Sequence, residues 1–174
     1  MKLSKLSAWD VAYAIDMAIA CLITYWVMIF LLPRLVGWHS TSVGVLWAVI
    51  STVFVYKDTR THSLSAGISR LIATFAGFAL CLIYLSLLPA TTIGMGALIA
   101  IGVLLMIIIG RRDETSLTAI TIAIIMIIAA SSPQDAWLQP LLRLVDTLVG
   151  ISVGVACKSV ASLVIYRMIG EERR

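Results

Sequence analysis

The chain of 174 residues is 61% hydrophobic and only 13% charged, which excludes an ordinary soluble domain. Its formal net charge of +4 comes from lysines and arginines at the ends of apolar runs, without the basic amphipathic element or aromatic platform typical of nucleic-acid binding. We therefore expect a protein whose main partner is the lipid bilayer, with no nucleic-acid partner.

Six apolar runs follow one another along the chain, and each approaches the roughly 20 residues that cross a hydrocarbon core about 30 Å thick. The first run is longer than the apolar core of a signal peptide, so we predict an uncleaved first helix. Proline, glycine and charged clusters separate the runs. The predicted helices cover residues 9–32, 40–56, 64–88, 91–110, 115–131 and 136–167. They predict a single all-α transmembrane domain over residues 1–174.

The positive charges near the ends of the runs predict the orientation of the helices. With six spans, Arg34 and Arg143 fall on one side of the membrane. The other side receives Lys2, Lys5, Lys57, Arg60, Arg70, Arg111, Arg112, Arg167, Arg173 and Arg174. Because the more positive side normally faces the cytoplasm, both termini are predicted to be cytoplasmic, in the inner membrane of a bacterium.

A short repeat relates the third and sixth predicted helices. Both contain the pattern R-L-x-x-T-x-x-G, at Arg70 to Gly77 and again at Arg143 to Gly150. The two copies lie three helices apart, so they enter the membrane from opposite faces. This predicts a 3+3 inverted-topology repeat, an arrangement that recurs in transport proteins. A chance match of eight residues is the alternative.

The repeat places the same residue types on one face of each of these helices. The faces consist of Arg70, Thr74 and Gly77 on the third helix and of Arg143, Thr147, Gly150 and Gly154 on the sixth. The arginines and threonines are predicted to bind an anion, because an arginine in a span must face protein, water or the headgroup layer. Snorkelling of the arginines to the membrane surface is the alternative. The glycines are predicted to allow close helix packing.

Three further charges lie within the predicted helices. Asp16 and Lys158 lie at comparable depth from the same side, so we expect them to form an ion pair, with an Asp16–Arg70 pair as the competitor. Asp146 follows Arg143 by one helical turn and is expected to hold its guanidinium group. For these groups a latch between helices and a role in proton coupling both stay open.

Enzyme chemistry has no visible support in the sequence. Cys21, Cys81 and Cys157 lie in separate apolar runs, without the spacing of a metal site or a disulfide framework. The sequence also lacks a recognisable nucleophile–base pair. We therefore predict a protein that is not an enzyme and has no cofactor or metal.

The two repeat helices resemble a known family. The R-x-x-x-T-x-x-G pattern from Arg70 and the R-x-x-D-T-x-x-G-x-x-x-G pattern from Arg143 are similar to the membrane domain of the fusaric acid resistance and aromatic acid exporter families. A more distant similarity is to the plant aluminium-activated malate channels. The resemblance implies efflux or passive conduction of organic or aromatic carboxylate anions along a path lined by basic residues.

The resemblance is to a half-size form, because the chain has one membrane unit and no cytoplasmic helical domain after it. It implies assembly as a homodimer or a higher homo-oligomer. A separate adaptor protein stays open as a further partner, because the missing cytoplasmic part argues against efflux with an adaptor. The alternative function is a non-transporting membrane scaffold or assembly subunit whose charges only lock helices together. Lipid handling is a third alternative.

Overall fold

The computed structural model describes residues 8–31, 33–34, 42–131 and 136–171, and within them the chain is α-helical with short connections and no strand. The predicted all-α class is therefore confirmed. The helices are α1 (Ala8–Trp26), α2 (Ser42–Val55), α3 (Arg60–Leu87), α4 (Thr92–Ile108), α5 (Thr115–Ser131) and α6 (Leu138–Glu171). A π-helical turn, Val27–Leu31, extends α1, and a 3₁₀ turn, Arg112–Glu114, leads into α5.

Four of the described helical segments are long and apolar enough to cross a membrane. They are Asp10–Phe30, Arg60–Leu87, Arg112–Ser131 and Leu138–Leu163. Helices α2 and α4 are equally apolar but have only 14 and 17 residues. At about 1.5 Å per residue they extend about 21 and 26 Å, so they could span only where the bilayer thins locally. Six spans and cytoplasmic termini stay predictions; Lys2, Lys5, Arg173 and Arg174 lie outside the described residues.

Large apolar side chains cover much of the protein surface. Ile93 and Ile108, at the two ends of α4, are 87% and 80% exposed, and Leu87 at the end of α3 is 77% exposed. So many exposed large apolar side chains are unfavourable in water and suit a lipid environment. The exposed surface thus agrees with the apolar composition of the sequence.

The ends of α4 show how local sequence sets helix boundaries. The Thr91 side-chain oxygen accepts a 3.1 Å hydrogen bond from the Gly94 amide and so caps the N-terminus. At the other end Gly110 has a φ of +81°, and its amide and that of Arg111 bond back to the carbonyls of Ile107 and Met106. This is a Schellman ending, which favours glycine because φ is positive.

The chain forms two compact units. The first unit contains the described residues up to Gly67 and from Val149 onward, and the second contains Ile68–Leu148. The first unit therefore holds α1, α2 and most of α6, and the second holds α4, α5 and most of α3. Each unit combines the first two helices of one predicted half with the larger part of the third helix of the other half.

The first unit has a small apolar core and a chain of hydroxyl groups beside it. Met28, Val45 and Ala48 form the buried apolar core. The hydroxyl oxygens of Thr24 and Thr52 lie 2.7 Å apart, and the Thr52 hydroxyl donates to the Gly150 carbonyl at 3.0 Å. These hydrogen bonds join α1, α2 and α6 without leaving a buried hydroxyl unsatisfied.

A motif glycine makes a close helix contact in each unit. A Cβ atom on Gly150 would overlap the Ala48 carbonyl, so α6 packs against the backbone of α2. A Cβ atom on Gly77 would lie 3.0 Å from Thr121 Cγ2, so α3 packs tightly on α5. In both units the third helix of one predicted half contacts the second helix of the other. Gly154 adds a further approach, with its Cβ position 3.3 Å from the Thr52 carbonyl oxygen.

The second unit has the larger apolar core. It is built from α3, α4 and α5, and glycine at position 102 lets α4 approach α5 closely. The buried members are Cys81, Leu85, Leu98, Ile122, Ile125, Met126 and Ala129.

Candidate functional site

In both repeat motifs the shared arginine, threonine and glycine are buried inside the protein. Arg70 and Arg143 are 2% and 1% exposed. The threonine and glycine of each motif are buried as well, at Thr74, Gly77, Thr147 and Gly150. The guanidinium groups therefore lie inside the protein, and the depth of each arginine in the membrane stays a prediction. Burial of the same face in both copies is what a structural repeat requires.

Arg143 forms an ion pair within its own helix. Its Nη1 atom lies 3.0 Å from Oδ2 of Asp146, one turn further along α6, and Asp146 is itself 2% exposed. The expected contact between these two residues is present. A charge-assisted contact of this kind offsets part of the desolvation of both groups, and it balances the positive charge of Arg143 locally.

A second polar cluster in the second unit surrounds Glu114, which is 5% exposed. Its Oε1 atom accepts a 2.9 Å hydrogen bond from Ser69 and lies 3.3 Å from Nη1 of Arg111. The sequence indicated only that this charged run ends a helix. The structure shows that it also joins the start of α5 to α3, next to Arg70 in sequence.

In the first unit, Tyr56 organises a cluster of polar side chains. Its hydroxyl group donates a 2.5 Å hydrogen bond to Oδ2 of Asp16. The Tyr13 hydroxyl in turn donates to the Tyr56 carbonyl at 3.0 Å, and the two rings lie 5.7 Å apart. The end of α2 is thereby tied to the first turns of α1.

Lys158 of α6 packs on the faces of these two rings and is 6% exposed. Its Nζ atom lies 5.1 Å from the Tyr56 centroid and 5.3 Å from the Tyr13 centroid, within the range of a cation–π interaction. The predicted direct ion pair between Asp16 and Lys158 is wrong: Tyr56 contacts both, with its hydroxyl on Asp16 and its ring on Lys158. The competing Asp16–Arg70 pair joins residues of different units and stays a prediction.

A cavity of about 1050 Å³ lies beside this cluster, between α1, α6 and the connection that follows α2. Lys158, Tyr13 and Asp16 line its polar end. Asp10, Asp58, Thr59 and Arg60 also line the cavity, and isoleucines of α1 and mostly small residues of α6 form its apolar part. The arrangement can hold a molecule with one charged end and an apolar body.

Sequence reasoning missed the tyrosines of this cluster. Tyr13 precedes Asp16 by one helical turn, and Tyr56 is the last residue before the charged run that starts at Lys57. A polar aromatic ring one turn from a charge within a span is the signal that could have identified Tyr13. Tyr56 has no such local signal, because its contacts with Asp16 and Lys158 are all distant in sequence.

Metal binding finds no support in the described part of the chain, where no group of three or more His, Cys, Asp or Glu side chains could hold a metal ion. The candidate groups therefore belong to each unit separately: Arg70 and the Arg143–Asp146 ion pair in the second unit, and Lys158 with its aromatic cluster in the first.

A family model described as "Fusaric acid resistance protein-like" matches residues 19–157. The matched range contains both arginine motifs and the whole of α2 to α5. The chain belongs to the fusaric acid resistance protein-like family. No curated protein and no solved structure matches it.

Membership of the fusaric acid resistance protein-like family, together with the long apolar helices, identifies the chain as a multi-pass, transporter-like membrane protein. A transporter family agrees with the expectation that the chain is not an enzyme. Arg70, Arg143 and Tyr56 lie within the matched range, whereas Tyr13, Asp16 and Lys158 lie just beyond its ends. The family match therefore assigns no role to the charged partners of Tyr56.

Proposed function

We propose that this protein is a membrane transporter, or a channel, that exports organic or aromatic carboxylate anions. The observation that carries the proposal is the burial of Arg70, Arg143 and Lys158, at 2%, 1% and 6% exposure, within two apolar helices. A cation in a span costs several kcal/mol unless protein or water compensates it. Buried cations in a transporter family are best explained by attraction of an anionic substrate.

The substrate-binding residues in this proposal are the motif residues Arg70, Thr74, Arg143 and Thr147. The guanidinium groups would bind a carboxylate through two parallel N–H donors, and the threonine hydroxyl one turn away would add a hydrogen bond. Because the two motifs occupy opposite ends of an inverted repeat, they would attract the anion from opposite faces of the membrane. Asp146 would adjust the charge at the Arg143 end.

The architecture we propose is six spans in a 3+3 inverted repeat, with both termini in the cytoplasm and the protein in the bacterial inner membrane. The equivalent make-up of the two units supports the repeat. So do the contacts of Gly77 with α5 and of Gly150 with α2. The orientation is supported by the exposed cations Lys57 and Arg112, which a six-span count places on one side.

The quaternary structure we propose is a homodimer or a higher homo-oligomer, with a separate adaptor protein as a further partner. Support comes from the family resemblance. For Asp16 and Lys158 we propose charge balance or proton coupling, mediated by Tyr56 rather than by a direct ion pair.

Flux measurements in proteoliposomes test the proposed function. We expect Arg70→Ala and Arg143→Ala to lower the initial rate of benzoate flux by roughly tenfold or more, which corresponds to about 1.4 kcal/mol of lost interaction. Arg70→Lys and Arg143→Lys, which keep the charge, should retain part of the rate. Arg112→Ala is the matched control, because Arg112 is exposed. Unchanged flux in both alanine variants, with the protein still folded, would show that the arginines do not bind substrate.

The second candidate function is a non-transporting scaffold or assembly subunit. The hydrogen bond from Tyr56 to Asp16 favours a scaffold, because a charged side chain here holds the end of α2 against α1. A scaffold would show no flux in the parent protein. Its Tyr56→Phe variant would lose assembly, as judged by size-exclusion chromatography.

A further inference from the structure

The cavity of the first unit is amphipathic. Lys158 is among its lining residues, and its volume of about 1050 Å³ is more than a small organic anion needs. The apolar wall is formed by Ile15, Ile19 and Ile23 of α1. These isoleucines lie four residues apart, so a single face of the helix supplies the whole wall.

Lys158 has unused hydrogen-bonding capacity. Among the described residues its ammonium group has no ion-pair partner, and its contacts are the ring faces of Tyr13 and Tyr56. An ammonium group carries three donors, and an aromatic face attracts the charge without acting as a full hydrogen-bond acceptor. An anionic group in the cavity would provide the acceptor that the rings do not.

The fold does not require a cation at this position. Lys158 follows Arg143 by the same number of residues as Leu85 follows Arg70. Leu85 is buried in the apolar core of the second unit. The repeat-equivalent position is thus filled by leucine in one copy and by lysine in the other, so packing alone does not explain Lys158.

The neighbouring acids restrict what the cavity can accept. Asp16 remains beside Lys158 on the other side of Tyr56, and its carboxylate is already held by the Tyr56 hydroxyl. Asp10 and Asp58 also line the cavity, with Arg60 as the other cation. A ligand with one carboxylate can use Lys158, whereas a second carboxylate would meet acidic side chains and be repelled.

We propose that this cavity binds an aromatic monocarboxylate, with its carboxylate on Nζ of Lys158 and its ring against the isoleucine wall. Tyr13 and Tyr56 position the ammonium group, and Asp16 rejects dicarboxylates. The proposal rests on the proposed transport of carboxylates for its substrate class, and it names a site that the arginine motifs do not include.

Equilibrium binding of benzoate to the full chain in phosphatidylcholine nanodiscs tests the site. We expect saturable binding that Lys158→Leu weakens by roughly tenfold or more. Lys57→Leu is the matched control, because Lys57 is exposed and does not line the cavity. Terephthalate carries a second carboxylate on the ring, and benzyl alcohol carries no carboxylate. Each should bind roughly tenfold more weakly than benzoate. Equal benzoate binding by the parent and Lys158→Leu would overturn the proposal.

A second variant tests the site independently in case Lys158→Leu does not fold. Ala161 lines the cavity, and Ala161→Trp fills the space while leaving the lysine in place. We expect the same loss of benzoate binding, with a monodisperse elution profile. Benzoate affinity unchanged by the added indole would place the ligand elsewhere and overturn the proposal.

An anionic lipid offers the same chemistry of one negative group and an apolar body. Adding phosphatidylglycerol to the nanodiscs should leave benzoate affinity unchanged within about twofold. Competitive displacement of benzoate by this lipid would assign the cavity to a lipid headgroup and contradict the proposal. Benzoate binding that depends on Lys158 in a protein without flux would uphold the site and refute transport. Flux and benzoate binding that both survive Lys158→Leu would uphold transport and refute the site.

Discussion

The side chain of Tyr56 contacts two opposite charges: its hydroxyl lies 2.5 Å from Oδ2 of Asp16, and its ring centre lies 5.1 Å from Nζ of Lys158. The carboxylate and the ammonium group are therefore held apart while remaining in the same cluster. This separation leaves the lysine available to a ligand, which a direct ion pair would not.

Removing the Tyr56 hydroxyl should destabilise the first unit. In Tyr56→Phe the ring that packs on Lys158 remains, but the bond to a charged acceptor is lost, which typically costs about 1.5 kcal/mol or more. We expect a lower Tm in detergent, measured by differential scanning fluorimetry. Tyr25→Phe is the control, because Tyr25 is an exposed residue of α1. Equal Tm values for the two variants would show that the Asp16 contact contributes nothing to stability.

Gly150→Ala should disrupt the contact between α6 and α2. The added methyl group would overlap the Ala48 carbonyl and lie 2.7 Å from Ser51 Cβ, so the helices must separate, at a cost of about 1 to 3 kcal/mol. Gly96→Ala is the control: its Cβ position meets no atom within 4 Å, and alanine should stabilise α4 slightly. Opposite changes in Tm are expected. A Gly150→Ala variant as stable as the parent would contradict the close packing.

Asp146→Asn should lower the stability of the protein more than an aspartate-to-asparagine substitution at an exposed position. It removes a carboxylate from a guanidinium group that is 1% exposed, and breaking a buried ion pair typically costs about 3 kcal/mol or more. The yield and Tm of the purified protein measure this effect, with Asp113→Asn at an exposed position as the control. The double variant Arg143→Met with Asp146→Leu should recover stability but not flux. Recovery of flux would show that neither charge is needed for transport.

The parts of the structure that sequence could predict are those set by local pattern. The apolar runs predicted helices that overlap the observed ones, because a helix buried in lipid requires a continuous run of apolar residues. The contact between Arg143 and Asp146 followed from helical spacing alone. The repeat of Arg70 and Arg143 predicted which helix face is buried, since the same residue types recur at the same helical spacing.

The parts that sequence could not predict depend on which helices meet. Matched depth suggested that Asp16 and Lys158 pair, but depth carries no information about the direction a side chain takes around the helix axis. Tyr56, which directly follows α2, takes both contacts. The cavity could not be predicted for the same reason, because α1, α6 and residues 58–60, which form it, are distant from one another in sequence.

Carboxylate transport is tested most directly by the initial rate of benzoate release from preloaded proteoliposomes. We expect a rate that saturates with benzoate concentration, exceeds that of protein-free liposomes, and falls roughly tenfold in Arg70→Ala but not in Arg112→Ala. A release rate in the parent protein equal to that of protein-free liposomes would contradict it.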